Sequence, residues 1–325
     1  MEETRSAEFP DLAALRRAAE RIRPYAHRTS VLTCRSLDER VGARLFFKCE
    51  NFQKGGAFKF RGACNAVLSL PEEEARRGVA THSSGNHAQA LALAARLRGV
   101  PAHIVMPENS PRVKVAAVQG YGGRIVFCAP TQDARERTLE SVVAATGASF
   151  VHPYDDPRIV AGQGTCAMEL LQEIPGLDLL LAPVGGGGLV SGTALACRYL
   201  SPRTRIVAVE PKGADDAFRS FRDGRIHPSE NPRTVADGLR TSLGSLTFAI
   251  IRSAVSAVVT VEEESILAAM RLIWERMKVI VEPSAAVPLA ALLEGLPEAK
   301  DRRIGVILSG GNLDLDNLPL SPSPR

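Results

Sequence analysis

Short apolar runs alternate with longer helix-forming stretches through almost the whole chain, and this alternation limits the possible fold more than any other feature. Strand-like runs stand at 44–49 (RLFFKC), 79–81, 102–106, 124–128, 149–151, 179–183, 205–209, 258–261 and 304–308. Helical patterns lie at 88–97, 112–119, 134–145, 162–173, 189–199, 263–278 and 285–294. They follow a first amphipathic helix over 11–23 that opens on Asp11 as its cap. Repeated strand–helix–strand units build parallel sheets with helices on their faces. There are more such units than one ordinary sheet holds, so the expectation is an α/β fold of two doubly wound domains with mainly parallel sheets. No long linker or internal repeat interrupts the pattern, and only the tail after Asn317, LPLSPSPR, reads as disordered.

Composition closes off other classes. A chain of 325 residues, 45% hydrophobic and 23% charged, is long enough for two cores and has no case for wholesale disorder. The net charge of +4 comes from 40 basic and 36 acidic residues without a basic block, which argues against a nucleic-acid partner. No run of about eighteen apolar residues offers a membrane span, and MEETRSAEFP lacks the apolar core of a signal peptide. Six cysteines lie far apart with no CxxC spacing. They fit reduced core thiols better than a disulfide frame or a zinc site, and the expected setting is the cytoplasm.

In open parallel sheets, ligands bind where strands end and loops lead into helices. Four such loops carry unusual residues. The first, KGGAFKFRGA (54–63), sets Lys59 between Phe58 and Phe60 at the mouth of a helix. An ammonium among apolar groups at a helix N-terminus has a lowered pKa, as a Schiff-base lysine needs; the bland alternative is a solvated first-turn lysine. The second, THSSGNHAQ (81–89), ends a strand in hydroxyls, a glycine, an amide and a histidine. It reads either as a polar capped turn or as a carboxylate site on free backbone N–H groups. The third, PVGGGGLVSG (183–192), has four successive glycines between strand and helix. It lacks the Lys-Ser/Thr of a triphosphate loop and the spacing of a dinucleotide fingerprint, which favours a single phosphate over a plain turn. The fourth, LSGGN (308–312), ends the last strand in Ser309 and two glycines.

An aldehyde caught by a lysine, one phosphate, a ring and a substrate carboxylate together specify pyridoxal 5′-phosphate. The chain resembles the serine/threonine dehydratase and serine racemase family of pyridoxal-phosphate enzymes, in the tryptophan-synthase-β fold group, fold type II. The likeness runs through KCENFQKGGAFKFRGA, THSSGNHAQA, AGQGT, PVGGGGL, EPKGADD, ADGLRTSLG, WERMKVIVEPSAA and LSGGN, in the family's order and over nearly the whole chain. It implies a large cofactor-binding domain of 1–68 and 156–325, a small mobile substrate-side domain of 69–155, the cofactor in the cleft between them, and a homodimer.

The resemblance also implies roles. Lys59 is the lysine that binds the cofactor, Phe58 the aromatic residue on its ring, and Asn86 the amide at its ring hydroxyl. Gly185, Gly186, Gly187, Gly188 and Leu189 hold the phosphate, and Ser309 faces the pyridine nitrogen. Ser83 and His87 lie in the substrate-carboxylate loop, and Gly238 in the substrate site. Ser84 is the catalytic hydroxyl that allows racemisation if it reaches the far face of Cα. Arg135 can approach a second substrate carboxylate. Glu210, Ala214 and Asp216, in EPKGADD, match the Mg2+ site (or Ca2+/Mn2+) of racemase-like members; without the match they read as solvated loop charge.

The expected activity is loss of water and ammonia from a β-hydroxy L-amino acid (serine, threonine or 3-hydroxyaspartate), giving a 2-oxo acid. Serine racemisation with elimination as a side reaction is the alternative, and a non-catalytic cofactor carrier a third reading. Ala57 stands where racemases often have serine, and Tyr154 replaces a smaller polar residue; both favour elimination. The wording around Lys59 is similar to 3-hydroxyaspartate dehydratases, whose substrate has the second carboxylate that Arg135 would meet. The chain ends soon after LSGGN, so no appended regulatory domain is expected. No nucleotide motif is evident, and Lys278 alone does not make one.

Overall fold

The structure, a computed structural model, describes residues 9–110 and 112–318. The expected disordered tail therefore lies, but for Leu318, outside the described residues. In chain order the elements are α1 (Leu12–Ile22), β1 (Val31–Leu32), α2 (Arg35–Val41), β2 (Arg44–Cys49), α3 (Lys59–Ser69), α4 (Glu72–Arg76), β3 (Val79–His82), α5 (Asn86–Arg98), β4 (Ala102–Pro107), α6 (Arg112–Gly120), β5 (Arg124–Cys128) and α7 (Gln132–Thr146). There follow β6 (Ser149–Phe150), α8 (Pro157–Glu173), β7 (Leu179–Pro183), α9 (Gly188–Leu200), β8 (Arg205–Pro211), α10 (Asp216–Asp223), α11 (Ser245–Ala254), β9 (Ala257–Val261), α12 (Glu263–Leu272), α13 (Pro283–Leu293) and β10 (Arg303–Leu308).

They form two sheets. A six-stranded sheet runs β1-β2-β10-β7-β8-β9, and a four-stranded one runs β5-β4-β3-β6. All pairings are parallel except β1 with β2. The large sheet is buried on both faces, and the period-2 alternation of a strand sorts its side chains between two cores. Leu180, Ala182, Ile206 and Ala208 enter one core with residues of α1, α8, α9 and α11. Leu179, Leu181, Val207 and Val209 enter the other, with α12 and α13. The small sheet is covered by α3 and α5 on one face and by α7 on the other. Asp11 caps α1 as expected, accepting the Ala14 N–H at 2.6 Å.

Two features position the site. β10 pairs with β2 from Arg303↔Arg44 to Leu308↔Cys49, and with β7 through Val306↔Leu181. The carboxyl ends of β2, β10 and β7 therefore lie side by side, and their loops emerge together. Helix α3 is set against α8 through paired glycines: a Cβ on Gly162 would stand 2.6 Å from the Cα of Gly62. Only a bare backbone on each side allows that approach. No helix among the described residues is long and apolar enough to cross a membrane. All six cysteines are free, and all but half-buried Cys34 are buried.

Candidate active site

Between the strand ends of the two sheets lies a cavity of about 350 Å³, a size suited to a small-molecule ligand. Every residue assigned above to catalysis, cofactor or substrate lies on its wall, from Phe58 and Lys59 through Ser83, Ser84, Asn86 and His87 to Arg135, the glycine loop with Leu189, Gly238 and Ser309. The four loops singled out by composition thus converge on one place. Glu210, Ala214 and Asp216 stand elsewhere, at the end of β8 and the start of α10.

Five helices begin on the cavity wall: α3, α5, α7, α9 and α13. Only α7, capped by Thr131, has a side-chain cap. Helix starts carry partial positive charge, so their convergence favours an anion. At α9 the cap position is Gly187, at φ 89° in the left-handed region, and the helix opens directly from the glycine run. A Cβ on Gly186 would overlap the Tyr154 ring. That ring is fixed by its hydroxyl, 3.0 Å from Thr241 Oγ1, and by the edge-on ring of His152 at 4.6 Å.

Lys59 is the first residue of α3. The main chain before it is tied to the β10 loop by an Ala57–Gly310 bridge, by Phe58 N–H to Ser309 O at 3.0 Å and by Gly311 N–H to Gly56 O at 2.9 Å. Its Nζ donates to the Pro153 carbonyl at 2.7 Å and lies 5.3 Å from the centroid of Phe58 and 6.0 Å from that of Tyr154. The accessible part of the side chain faces the cavity rather than open solvent. Burial pulls its pKa down to about 8, against the opposing charge of Glu282. A substantial neutral fraction near neutrality is what a nucleophilic amine requires.

Asn86 is held from both ends. Its Nδ2 donates to the two carboxylate oxygens of Glu282 at 2.9 and 3.2 Å, and its Oδ1 accepts from Asn312 Nδ2 at 3.0 Å. His87 sits in the first turn of α5 rather than in the loop, buried, with Nε2 3.2 Å from the Val151 carbonyl. Burial, then the Lys59 charge, hold its pKa well below the usual histidine value, so the ring is neutral at pH 7. Arg135 forms no salt bridge among the described residues, and its Nε is buried without a partner. Ser309 is 3% exposed, with its side chain on the wall.

Sequence reading missed several wall residues. Glu282 is the main one: a 4%-exposed acid that burial, then Asp237, push up to about 7. Lys114 and Asp237, paired at 2.5 Å across the cavity, are two more. An acid inside the apolar run KVIVEPSAA was the available signal for Glu282, but its place just before Pro283 also fits an ordinary helix cap.

Residues 22–310 match the model of the family described as "Pyridoxal-phosphate dependent enzyme". The beta-hydroxyaspartate dehydratase of Paracoccus denitrificans is 52% identical over 302 residues, covering 93% of this chain and 96% of that protein. The serine racemase of Arabidopsis thaliana is 51% identical over 323 residues, 98% of each chain. The crystal structure of serine racemase from Dictyostelium discoideum superposes with a TM-score of 0.90 at 46% identity, over 94% of this chain and 99% of that one.

Proposed function

The chain belongs to the pyridoxal-phosphate-dependent enzymes, in the branch of serine/threonine dehydratases and serine racemases, and from that membership we propose an ammonia-lyase acting on β-hydroxy L-amino acids. The observation that carries the reading is the state of Lys59: an amine of lowered pKa, held at a carbonyl in a cavity where four uncapped helix starts meet. The wall fits the cofactor. The uncapped start of α9 behind the glycine run suits its phosphate, Phe58 its ring, and Asn86 and Ser309 the polar edges of that ring. When bound, the cofactor supplies an aldehyde to catch the amino group and a conjugated system that accepts the electrons of the Cα–H bond.

The protein's own groups do the rest. Lys59 would hold the cofactor and, once freed by the substrate amine, would take the Cα proton as its neutral amine. Ser83 and Ser84 in the loop, with neutral His87 in the first turn of α5, receive the substrate carboxylate at a helix start that has no side-chain cap. The β-hydroxyl would leave as water with the proton that Lys59 took from Cα, and water would be regained on hydrolysis. The net products are ammonia and a 2-oxo acid.

Arg135 is the substrate selector in this reading. A guanidinium on the wall with no carboxylate partner is suited to a second substrate carboxylate, as in 3-hydroxyaspartate, and the P. denitrificans relative carries that substrate in its name. Racemisation is kept as a second reading because Ser84 shares the wall with Lys59, which would place a proton donor within reach of the opposite face of Cα. Incubation with L-serine, L-threonine and 3-hydroxyaspartate, reading 2-oxo acid, ammonia and enantiomer, tests both. Ammonia and 2-oxo acid in excess over D-amino acid are expected; mainly D-serine would overturn the ranking.

Three finer assignments belong to the same proposal. Residues 1–68 and 156–325 form the cofactor domain, and 69–155 a smaller domain that moves over the substrate; the small sheet, drawn wholly from within 79–150, supports the division. A divalent cation, Mg2+ before Ca2+ or Mn2+, sits at Glu210, the Ala214 carbonyl and Asp216. Both Asp216 carboxylate oxygens are buried without a partner, and burial pushes Glu210 up to about 9 and Asp216 up to about 6. Buried acids in that state are relieved by a cation, although Glu210 also accepts the Ala217 and Phe218 N–H groups. The enzyme works as a cytoplasmic homodimer; its free cysteines suit that reducing compartment.

A further inference from the structure

Three acids line the cavity: Glu136, Asp237 and Glu282. Glu136 accepts from Gln132 Nε2 at 2.6 Å and Asp237 pairs with Lys114. Glu282, the most deeply buried of the three, has no salt-bridge partner among the described residues. It occupies the cap position of α13, yet its side chain bonds none of that helix's N–H groups. Its carboxylate turns to Asn86 instead, and its own N–H donates to Gly310 O at 3.0 Å.

The backbone that delivers it is unusual. Helix α12 passes into a single π turn, Ile273–Met277, and Lys278 then adopts φ 60° in the left-handed region. The expected helix over 263–278 is therefore helical through Met277, with its last turn π rather than α. The Trp274 indole N–H donates to the Val281 carbonyl at 3.1 Å, pinning the peptide just before Glu282. Single π turns and left-handed non-glycine residues are kept where the surrounding structure enforces them, often at functional places.

We propose that Glu282 is the counter-charge of Lys59, a positioning residue whose carboxylate stabilises the ammonium formed when Lys59 is free of cofactor and has taken the substrate's proton. This rests on Lys59 being the reacting lysine. A proton arriving on Lys59 puts a cation onto the cavity wall, where the Pro153 carbonyl provides a dipole but no charge. Asp237 is neutralised by Lys114 and Glu136 is exposed, so Glu282 is the buried acid left to balance it. The groups around Glu282 suit a carboxylate that is available near neutrality. Asn86 on α5, the Asn312 N–H beyond β10 and Lys114 on α6 favour its charged form, whereas burial and Asp237 disfavour it. The same carboxylate holds Asn86 toward the cavity, so charge balance and cofactor orientation share one residue.

The test uses the full-length chain freed of cofactor. Reductive methylation with formaldehyde and cyanoborohydride over a pH series, read at Lys59 by peptide mass spectrometry, gives the midpoint at which its amine becomes reactive. Wild type is expected to titrate near pH 8. Glu282→Gln, which keeps an oxygen for Asn86 but removes the charge, should lower the midpoint by about one unit, the size expected of one nearby opposite charge. Glu282→Asp should stay near wild type. A second neutral variant, Glu282→Ser, should follow Glu282→Gln and serves if that protein does not fold. Unchanged or raised midpoints in the neutral variants would overturn the proposal. Adding pyridoxal phosphate to the same wild-type sample separates the two claims: no visible absorption band would fault the Lys59 reading itself, whereas a band without a midpoint shift would fault only the role of Glu282.

Discussion

Arg61 and Lys59 stand two residues apart in the first turn of one helix, and their surroundings treat them in opposite ways. Arg61 is fully buried and answered from every side. It binds both oxygens of Glu50 (2.7 and 2.8 Å) and both of Glu169 (2.7 and 2.8 Å), and reaches Thr165 Oγ1 at 3.2 Å. Lys48 completes the group with bonds of 2.7 Å to Glu169 and to the Thr29 carbonyl. Two cations meet two carboxylates, and β2, α3 and α8 are locked together. In the cavity Lys114 and Asp237 pair, but three charged groups are left open: Lys59 has one carbonyl, Arg135 no salt bridge among the described residues and Glu282 only amides. A region whose charges cancel internally is built for rigidity, and one whose charges do not cancel is built to receive charge from outside. The closed cluster holds the helix on which the open site depends.

Exchanging the two positions should break the comparison most visibly. Arg61→Met leaves two carboxylates facing Lys48 alone and should cost about 3–5 kcal/mol of stability, seen as a large fall in the denaturation midpoint. Lys59→Ala should not lower that midpoint, while lowering turnover by about 10⁴-fold or more. If Lys59→Ala unfolds the protein, or Arg61→Met leaves its stability unchanged, the contrast between the two regions fails.

The cation site extends the comparison to a second set of unbalanced charges. Mg2+ added to chelator-stripped protein at about 100 times its dissociation constant should stabilise the fold by about 2.7 kcal/mol, and Asp216→Asn should remove the gain. An unchanged melting temperature would leave Glu210 as no more than the cap of α10. Arg135→Leu should next lower kcat/KM for 3-hydroxyaspartate by about 10- to 100-fold, the worth of one charge-assisted hydrogen bond, and spare L-serine. An equal loss on both substrates would make Arg135 structural.

The smallest effect is on stability and has a definite sign. Lys59 has a folded-state pKa near 8 against an ordinary 10.5, so between these values the unfolded chain binds more protons. Its burial therefore destabilises the cofactor-free fold fully below about pH 8, and the cost fades as the pH rises toward 10.5. Lys59→Met should raise the unfolding midpoint at pH 7, with a gain that shrinks above pH 8; a gain independent of pH would mean that only packing had changed.

Much of this was legible in the residues, for different reasons in the two regions. The strands are read easily because both faces of the large sheet are buried and leave continuous apolar runs. The site loops are read easily because glycine runs and clustered hydroxyls have few other uses. Elements lacking those signals were missed. Strand β1 is two residues long, α2 has no clear apolar stripe, and α11, SLTFAIIRSA, follows a glycine and fits a strand as well as a helix. Helix α10 takes its N-terminal acceptors from Glu210, on β8, six residues before it begins. Helix α8 starts at Pro157 rather than at 162, where its proline and the Asp156 cap were the unread start signal. Glu282 and the Lys114–Asp237 pair could not be picked out, because their roles come from tertiary proximity and each alone is an ordinary charged residue.

The central claim is that the open charges of the cavity exist for a cofactor carried by Lys59. Reducing the protein with borohydride in the presence of pyridoxal phosphate and mapping the labelled peptides tests it directly. The account predicts one labelled lysine, Lys59, with none of the label on Lys48, Lys54 or Lys114. Label on another lysine, or none at all, would contradict it.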